Sequence, residues 1–408
     1  MKKTLFALAA VGAFAGAAQA QSSVSVYGVM DASYTAIESN QTTTGGAKTT
    51  TNLRNTVNGD GALSTSRLGF RGVEDLGKGL SAQFVLEYDL VNIGTGGTGD
   101  QGAQAATSVS GATNAGSTSG FRGFGPRYSY IGLSDKEMGT LRAGRQETAI
   151  HTSIAANLAG MANNTLGSLY SGLDGVYQLS TTQSPGVRPH NVFIDNAITY
   201  ISPNIGGLTV TLQTAQNAYS VNQTTTSAGV QSSGGSISFT GVKNLRLDAA
   251  MVVDGITTAG AGTTPSNMKR TTKAFGGNYD FGPAIVFALH TQNKWENLSL
   301  TSAQMLNDTK LTEVGVRAPV TKVITTWANY FTGNRSTEST TATAMAATQP
   351  AALGAADIKG FQLGAMYAFS KRTTAYGIYG TQEMKGTGVA NGAKLDGSMY
   401  AIGLRHTF

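Results

Sequence analysis

Sixteen segments of this chain read as β-strands, and the links between them alternate short, long, short, long from one end to the other. The segments lie near 23–37, 62–74, 78–90, 121–135, 138–147, 191–202, 205–217 and 232–241. The series continues near 243–254, 270–281, 283–295, 309–319, 321–332, 358–370, 372–385 and 396–408. The short links are "EDLGKG", "LSDKEMG", "SPNIGG", "GVKN", "DFGP", "APVT" and "FSKR". The long ones are Gly/Ser/Thr/Asn-rich: 38–61, 91–120, 148–190, 218–231, 255–269, 296–308, 333–357 and 386–395. A two-sheet sandwich in water has no reason to collect every long loop at one end. A closed barrel crossing an outer membrane does, with short turns on the periplasmic side and long loops outside.

Within the segments the side chains alternate at period two, as the pleat requires. In "SAQFVLEY", Ala82, Phe84, Leu86 and Tyr88 share one face, and Ser81, Gln83, Val85 and Glu87 the other. In "KGFQLGAMYAF", Phe361, Leu363, Ala365, Tyr367 and Phe369 form the apolar row. The final segment places Tyr400, Ile402, Leu404, His406 and Phe408 on one face. The opposite faces are mainly small or polar and read as too poor to build a core for so long a chain. Lipid on the apolar face and a water-filled lumen on the other satisfy both, and closing the sheet removes edges that lipid cannot hydrate. This predicts an all-β chain: a sixteen-stranded antiparallel transmembrane barrel.

Composition agrees. Glycine is abundant (53 of 408), proline scarce (8), and no long stretch is dominated by helix formers. There is no cysteine, so disulfides contribute nothing to stability. Residues 1–20 read as a signal peptide: Lys2 and Lys3 precede the apolar run 5–18, and "AQA" at 18–20 offers small residues for cleavage. The mature domain is then 21–408, with 27 Lys+Arg against 23 Asp+Glu, or +4. No later run reaches the eighteen apolar residues of a membrane-spanning helix.

Two apparent motifs fall away. "GVEDLGKG" at 72–79 nearly fits a phosphate-binding loop, but Gly79 stands where a Ser or Thr should ligate magnesium. A tight turn between strands explains it better. His151, His190, His290 and His406 have no metal-ligand spacing, so neither a metal nor another cofactor is expected.

Specific stretches carry a resemblance: "QSSVSVYGVMDAS" (21–33), "SRLGFRGVEDLGKGLSAQFVLE" (66–87), "YIGLSDKEMGTLRAGRQ" (130–146), "GLRHTF" (403–408) and, more loosely, "NAITYISPNIGGL" (196–208). In these the chain resembles the trimeric Gram-negative general porins of the betaproteobacterial and neisserial type. The resemblance implies a homotrimer, a third loop folded into each pore, and a location in the outer membrane among lipid and lipopolysaccharide. It also implies recognition of the C-terminal strand, with Phe408 and Tyr400, by the barrel-assembly machinery. Small residues on the outward face of the first strand (Val24, Val26, Gly28) suit close subunit packing.

Parity then assigns the lumen. Leu68 and Phe70 face outward, so Arg67 and Arg71 point inward. Tyr128 and Tyr130 are expected outward, so Arg127 is expected inward. Arg142, Arg246, Arg317 and Arg405 also have inward parity, as do the acids Asp31, Glu87, Asp248 and Glu313. A lone inward arginine is as well explained by an internal salt bridge; the cluster Arg67, Arg71 and Arg127 reads as functional. By resemblance, Arg67 and Arg127 belong to a basic ladder on the constriction wall and Glu87 sits among them. Arg145, of outward parity, resembles a position near the subunit contact. Loop 148–190 occupies the third-loop slot and is poor in acid, with Asp174 within it and Glu147 at its base; Arg188 is placed near the pore at the loop's return. Arginine keeps its charge and offers a planar fork of donors, and rings of one sign select against like-charged ions. The expected constriction therefore comprises Arg67, Arg71, Arg127, Glu87, Asp31, Arg142, Arg188 and Asp174.

The function expected is a passive channel for small anionic and polar solutes. A barrel enzyme lacks a Ser/His/Asp or paired-carboxylate arrangement on the lumen face, and no nucleic-acid partner is indicated. The alternative is a surface adhesin whose Thr-rich loops bind external partners; deleting loops would then abolish adhesion and leave conductance intact.

Overall fold

A computed structural model describes residues 23–58, 61–90, 124–159, 165–174, 192–217, 226–260, 266–297, 304–337, 355–387 and 391–408. Its strands begin with β1 (Ser23–Thr42), β2 (Lys48–Asn58), β3 (Arg67–Gly77), β4 (Leu80–Leu90), β5 (Phe124–Asp135) and β6 (Gly139–Glu147). Two short helices follow, α1 (Ala149–Ala156) and α2 (Leu169–Asp174). Then come β7 (Phe193–Ile201), β8 (Leu208–Asn217), β9 (Thr226–Phe239), β10 (Leu245–Gly260), β11 (Ser266–Asp280) and β12 (Ile285–Asn297). The chain ends with β13 (Gln304–Pro319), β14 (Ile324–Ser336), β15 (Ala356–Ala368), β16 (Thr373–Gly386) and β17 (Lys394–Thr407).

Every neighbouring pair is antiparallel, and β1 pairs with β17 to close the sheet. Seventeen segments fill sixteen staves, because β2 and β3 share one: β2 pairs with the upper half of β1 and β3 with the lower half. The β2 segment lies inside the stretch 38–61 expected as loop; its threonine-rich "KTTTNLRNT" alternates well enough to extend the hairpin above the barrel. At the seam, Thr407 stands opposite Val29, and Gly28 and Phe408 exchange backbone hydrogen bonds at 3.0 and 3.1 Å. The Phe408 ring covers the Gly28 α-carbon so closely that no Cβ fits there. The outward face carries the expected apolar rows, among them Val24 and Val26, Leu363, Ile402 and Leu404, all exposed. No helix among the described residues is long and apolar enough to cross a membrane.

The lumen departs from expectation. Inward side chains of β10–β17 and β1 include Val252, Leu289, Leu311, Trp327, Phe331, Ile358, Ile378, Met384, Leu395, Met399 and Ile37, all buried in one apolar cluster. Their partners come from inserted segments: Ala62 and Leu63 from 61–66, Ile150, Ile154 and Leu158 from α1 and its end, and Leu166 and Leu169 from the approach to α2. Each large side chain buried this way contributes roughly 1.5–3 kcal/mol. Among the described residues, one side of the barrel interior is therefore a hydrophobic core, and the inward face is far less polar than its sequence suggested.

The third loop is folded inward, and its backbone is tied to the wall. Glu313 of β13 accepts the N–H groups of Ala159 (3.3 Å) and Leu169. Asn329 donates to the Gly167 carbonyl (2.8 Å), and Gln362 donates to Thr165 (2.7 Å) and the Leu166 carbonyl (3.0 Å) while accepting from the Trp327 indole. Gly167 has φ +89° and lies against the Phe361 carbonyl where a Cβ would collide. Thr148 caps α1, its hydroxyl accepting the His151 N–H.

Candidate functional site in the barrel lumen

Among the described residues, the inserted loop packs mainly on β8–β16, away from the lumen face of β3–β6. That wall carries the arginines. Arg67 at the start of β3 lies 3.7 Å from Glu87 and donates to the Thr65 carbonyl. Glu87 and Asp89 of β4 both receive Arg127 of β5, at 2.6 and 3.0 Å. Arg67 is within electrostatic reach of both Arg127 and Arg405.

Arg127 reaches the lumen by a route that parity did not foresee. The register slips between Glu87 and Tyr88: Tyr88 faces Pro126 while Glu87 faces Tyr128, so Arg127 is one extra residue in β5. A bulge of this kind re-aims side chains, and here both Arg127 and Tyr128 oppose Glu87. Beyond the bulge, Ile131 (65% exposed) and Leu133 (49%) form the lipid face, and Tyr130 faces Val85 on the lumen side. Tyr128 and Tyr130 thus stand inward, opposite to expectation. Arg142 of β6 covers the Tyr130 ring (5.1 Å to its centroid), and Arg71 covers Tyr27 (5.3 Å). Tyr27 in turn lies over Gly69, where no Cβ would fit.

The inward acids are spent on structure. Asp248 is held by Arg246 (2.7 and 2.9 Å) and by the Asn157 amide (2.8 Å). Glu313 anchors the loop. Asp31, expected to line the constriction, is fully buried under the inserted segment 61–66, which accounts for its lack of contact with the water path. Among the described residues, no carboxylate lies within ion-pair distance of Arg71, Arg142, Arg317 or Arg405. Arg317 lies over the Phe287 ring and Arg405 stands opposite Asp31 in the ladder. Across the lumen face of β17, β1 and β3–β6, Arg67, Arg71, Arg127, Arg142 and Arg405 stand with Glu87, Asp89, the buried Asp31 and Glu147, which bonds the Tyr128 hydroxyl, so 5 − 4 leaves a local excess of one positive charge.

Arg145 points outward, donating to the Pro126 carbonyl (2.8 Å) and to Asp195 (2.8 Å). Glu147 is half-buried at the base of the loop. Asp174 ends α2, its side chain outside the described residues; Arg188, like residues 1–20, lies outside them too. Asp89 and Tyr27 stand in this arginine cluster and were passed over by sequence reading. Asp89 was within its reach, two residues beyond Glu87 on the same face. Among the described residues no group of three His, Cys, Asp or Glu side chains is placed to hold a metal.

Comparison with known proteins places the chain firmly. A family model described as Gram-negative porin matches residues 7–387. Outer membrane porin protein 32 of Delftia acidovorans is 29% identical over 296 residues, 72% of this chain and 71% of that one. An outer membrane porin protein of Bordetella pertussis is 35% identical over 164 residues, 39% of this chain and 36% of that one. The fold matches an anion-selective porin from Comamonas acidovorans at TM-score 0.63 and 22% identity, covering 95% of this chain and all of that one. It also matches the trimer form of OmpT from Vibrio cholerae at TM-score 0.59 and 13% identity, covering 95% and 99%.

Proposed function

Because the chain belongs to the Gram-negative porin family, and its barrel is therefore an outer-membrane diffusion channel, we propose that its pore prefers anions. One observation carries this reading: the wall across from the described loop residues has five guanidinium groups against four carboxylates, one of which is fully buried. The described loop residues are mainly apolar or small, and Asp174 is the loop's lone acid by sequence, where an acid-rich loop would have balanced the field. In a narrow passage that imbalance admits small anions and neutral polar solutes ahead of cations. The similar fold of a porin described as anion-selective supports the same sign.

The assembly we infer is a homotrimer, in keeping with the trimer form of a structural relative. Residues 1–20 serve as the export signal. Phe408 and Tyr400, on the outward row of the closing strand, are the contacts for the barrel-assembly machinery. Outward lysines above the apolar band, including Lys310, Lys359 and Lys394, suit the phosphates of lipopolysaccharide. The test is planar-bilayer recording of the purified protein in a potassium chloride gradient: the sign of the zero-current potential should report chloride as the more permeant ion. A potassium-selective channel contradicts the proposal.

A further inference from the structure

The third loop is not the only segment inserted into the lumen. Residues 61–66 cross from the end of β2 to the start of β3 on the inside of the barrel, and Arg67 is the next residue in the chain. Asp31 of β1 is what they close upon. Its carboxylate accepts the Ser64 N–H at 2.7 Å, the Ser64 hydroxyl at 3.3 Å and, on the other oxygen, the Tyr376 hydroxyl. The Asp31 backbone is bound as well: its N–H donates to Ser66 Oγ (2.9 Å), and that hydroxyl donates back to the Asp31 carbonyl (3.1 Å). Ser33 Oγ receives the Ala62 N–H at 3.1 Å. Gly61 sits so close to the Asp31 carboxylate that a Cβ would overlap it. Beside this clamp, Ala62 and Leu63 join the buried apolar cluster.

We propose that Asp31 is a positioning residue for ion selectivity: by clamping segment 61–66 it holds Arg67, and with it the start of the arginine wall, in place. A buried carboxylate that accepts a backbone N–H and two hydroxyls fixes geometry strongly, since leaving those donors without acceptors carries a full desolvation penalty. The Thr65 carbonyl at the end of the clamped segment accepts from the Arg67 guanidinium at 3.2 Å. Main chain and side chain of Arg67 are thus both referred to Asp31.

A direct electrostatic role would act with the opposite sign, which makes the two separable. If Asp31 acted only as a lumen acid, Asp31→Ala would strengthen anion preference, and Gly61→Val, which keeps the charge, would leave it unchanged. A clamp predicts that both variants weaken it, although one removes a negative charge and the other removes none.

The experiment is the zero-current potential in a salt gradient for Asp31→Ala, Gly61→Val, Arg67→Ser and the two crosses with Arg67→Ser, on channels that run as folded, heat-modifiable barrels. The expected result is a fall of roughly two- to three-fold in the anion-to-cation permeability ratio for each clamp variant, the effect of losing one unit charge about 7 Å from a passing ion in water. In the Arg67→Ser background neither should lower the ratio further. If Asp31→Ala does not assemble, the milder Gly61→Ala and its cross carry the same comparison. This inference rests on the arginine-wall reading, and the arms keep the two apart. Arg67→Ser without effect overturns the wall and the clamp together. Arg67→Ser with effect, but clamp variants that raise anion preference or add fully to Arg67→Ser, overturns the clamp alone.

Discussion

Arg127 donates to Glu87 at 2.6 Å and to Asp89 at 3.0 Å, so one guanidinium gathers two neighbouring carboxylates of β4. Glu87 also lies 3.7 Å from Arg67, which makes it the residue that balances two arginines at once. Glu87→Gln keeps a neutral acceptor in place while Asp89 still holds Arg127. The variant should therefore strengthen anion preference, by about two-fold in permeability ratio for one charge near the ion path. Its heat resistance should fall, since a nearly buried ion pair loses its anion. Reversal-potential recordings and a melting curve check both directions; unchanged selectivity removes Glu87 from the constriction.

The loop's hold on the wall is set by close backbone contacts. Gly167 combines φ +89° with contact to the Phe361 carbonyl, and Gly380 lies against the Leu166 carbonyl; no Cβ fits at either. Gly167→Val should displace the loop from β15 and β16, giving larger single-channel conductance and noisier open-channel current. Glu313→Ala should act likewise, because it strands two backbone N–H groups at about 1–3 kcal/mol each. Conductance and noise like those of the wild type in both variants would show that the loop keeps its place by other means.

Much of this was readable beforehand, and the reasons differ residue by residue. The outward rows were legible because lipid demands an unbroken apolar face at period two, as in Ile402 and Leu404. Arg67 and Arg71 were legible because Leu68 and Phe70 fix their parity. Arg127 was placed inward from a wrong premise: the bulge resets the alternation of β5, and Tyr128 and Tyr130 face the lumen. Pro126 was the available cue, since a proline within a strand marks an edge or a bulge. The luminal apolar core was not legible, because it depends on pairs such as Gln362 and Leu166, 196 residues apart in the chain. Asp31 has the right parity for a pore acid, and only the path of 61–66 reveals that it is covered.

The Phe408 ring rests on Gly28, so barrel closure depends on that pair of residues. Gly28→Leu and Phe408→Ala should both lower the amount of folded barrel recovered in outer membranes. Channels that do insert should keep wild-type selectivity, because both positions face away from the lumen. Normal recovery of both variants at low expression contradicts this.

Val24 and Val26 are exposed beside Gly28, a small apolar surface suited to a neighbouring barrel. Unboiled protein should migrate on a gel as one oligomeric band and become monomeric on boiling. A monomer at every temperature counts against the trimer.

The most direct test of anion preference is the zero-current potential across a salt gradient for the wild type, Arg67→Ser, Arg127→Ser and the double variant. Two arginines about 6–8 Å from a passing ion, at an effective dielectric of roughly 20–80, contribute on the order of one kcal/mol together, and about 1.4 kcal/mol is a factor of ten. Wild type should favour anions, each single variant less so, and the double variant several-fold less. The differences should shrink between about 0.1 M and 1 M salt as the screening length falls from roughly 10 to 3 Å. A cation-selective wild type, or a double variant with unchanged selectivity at low salt, contradicts the account.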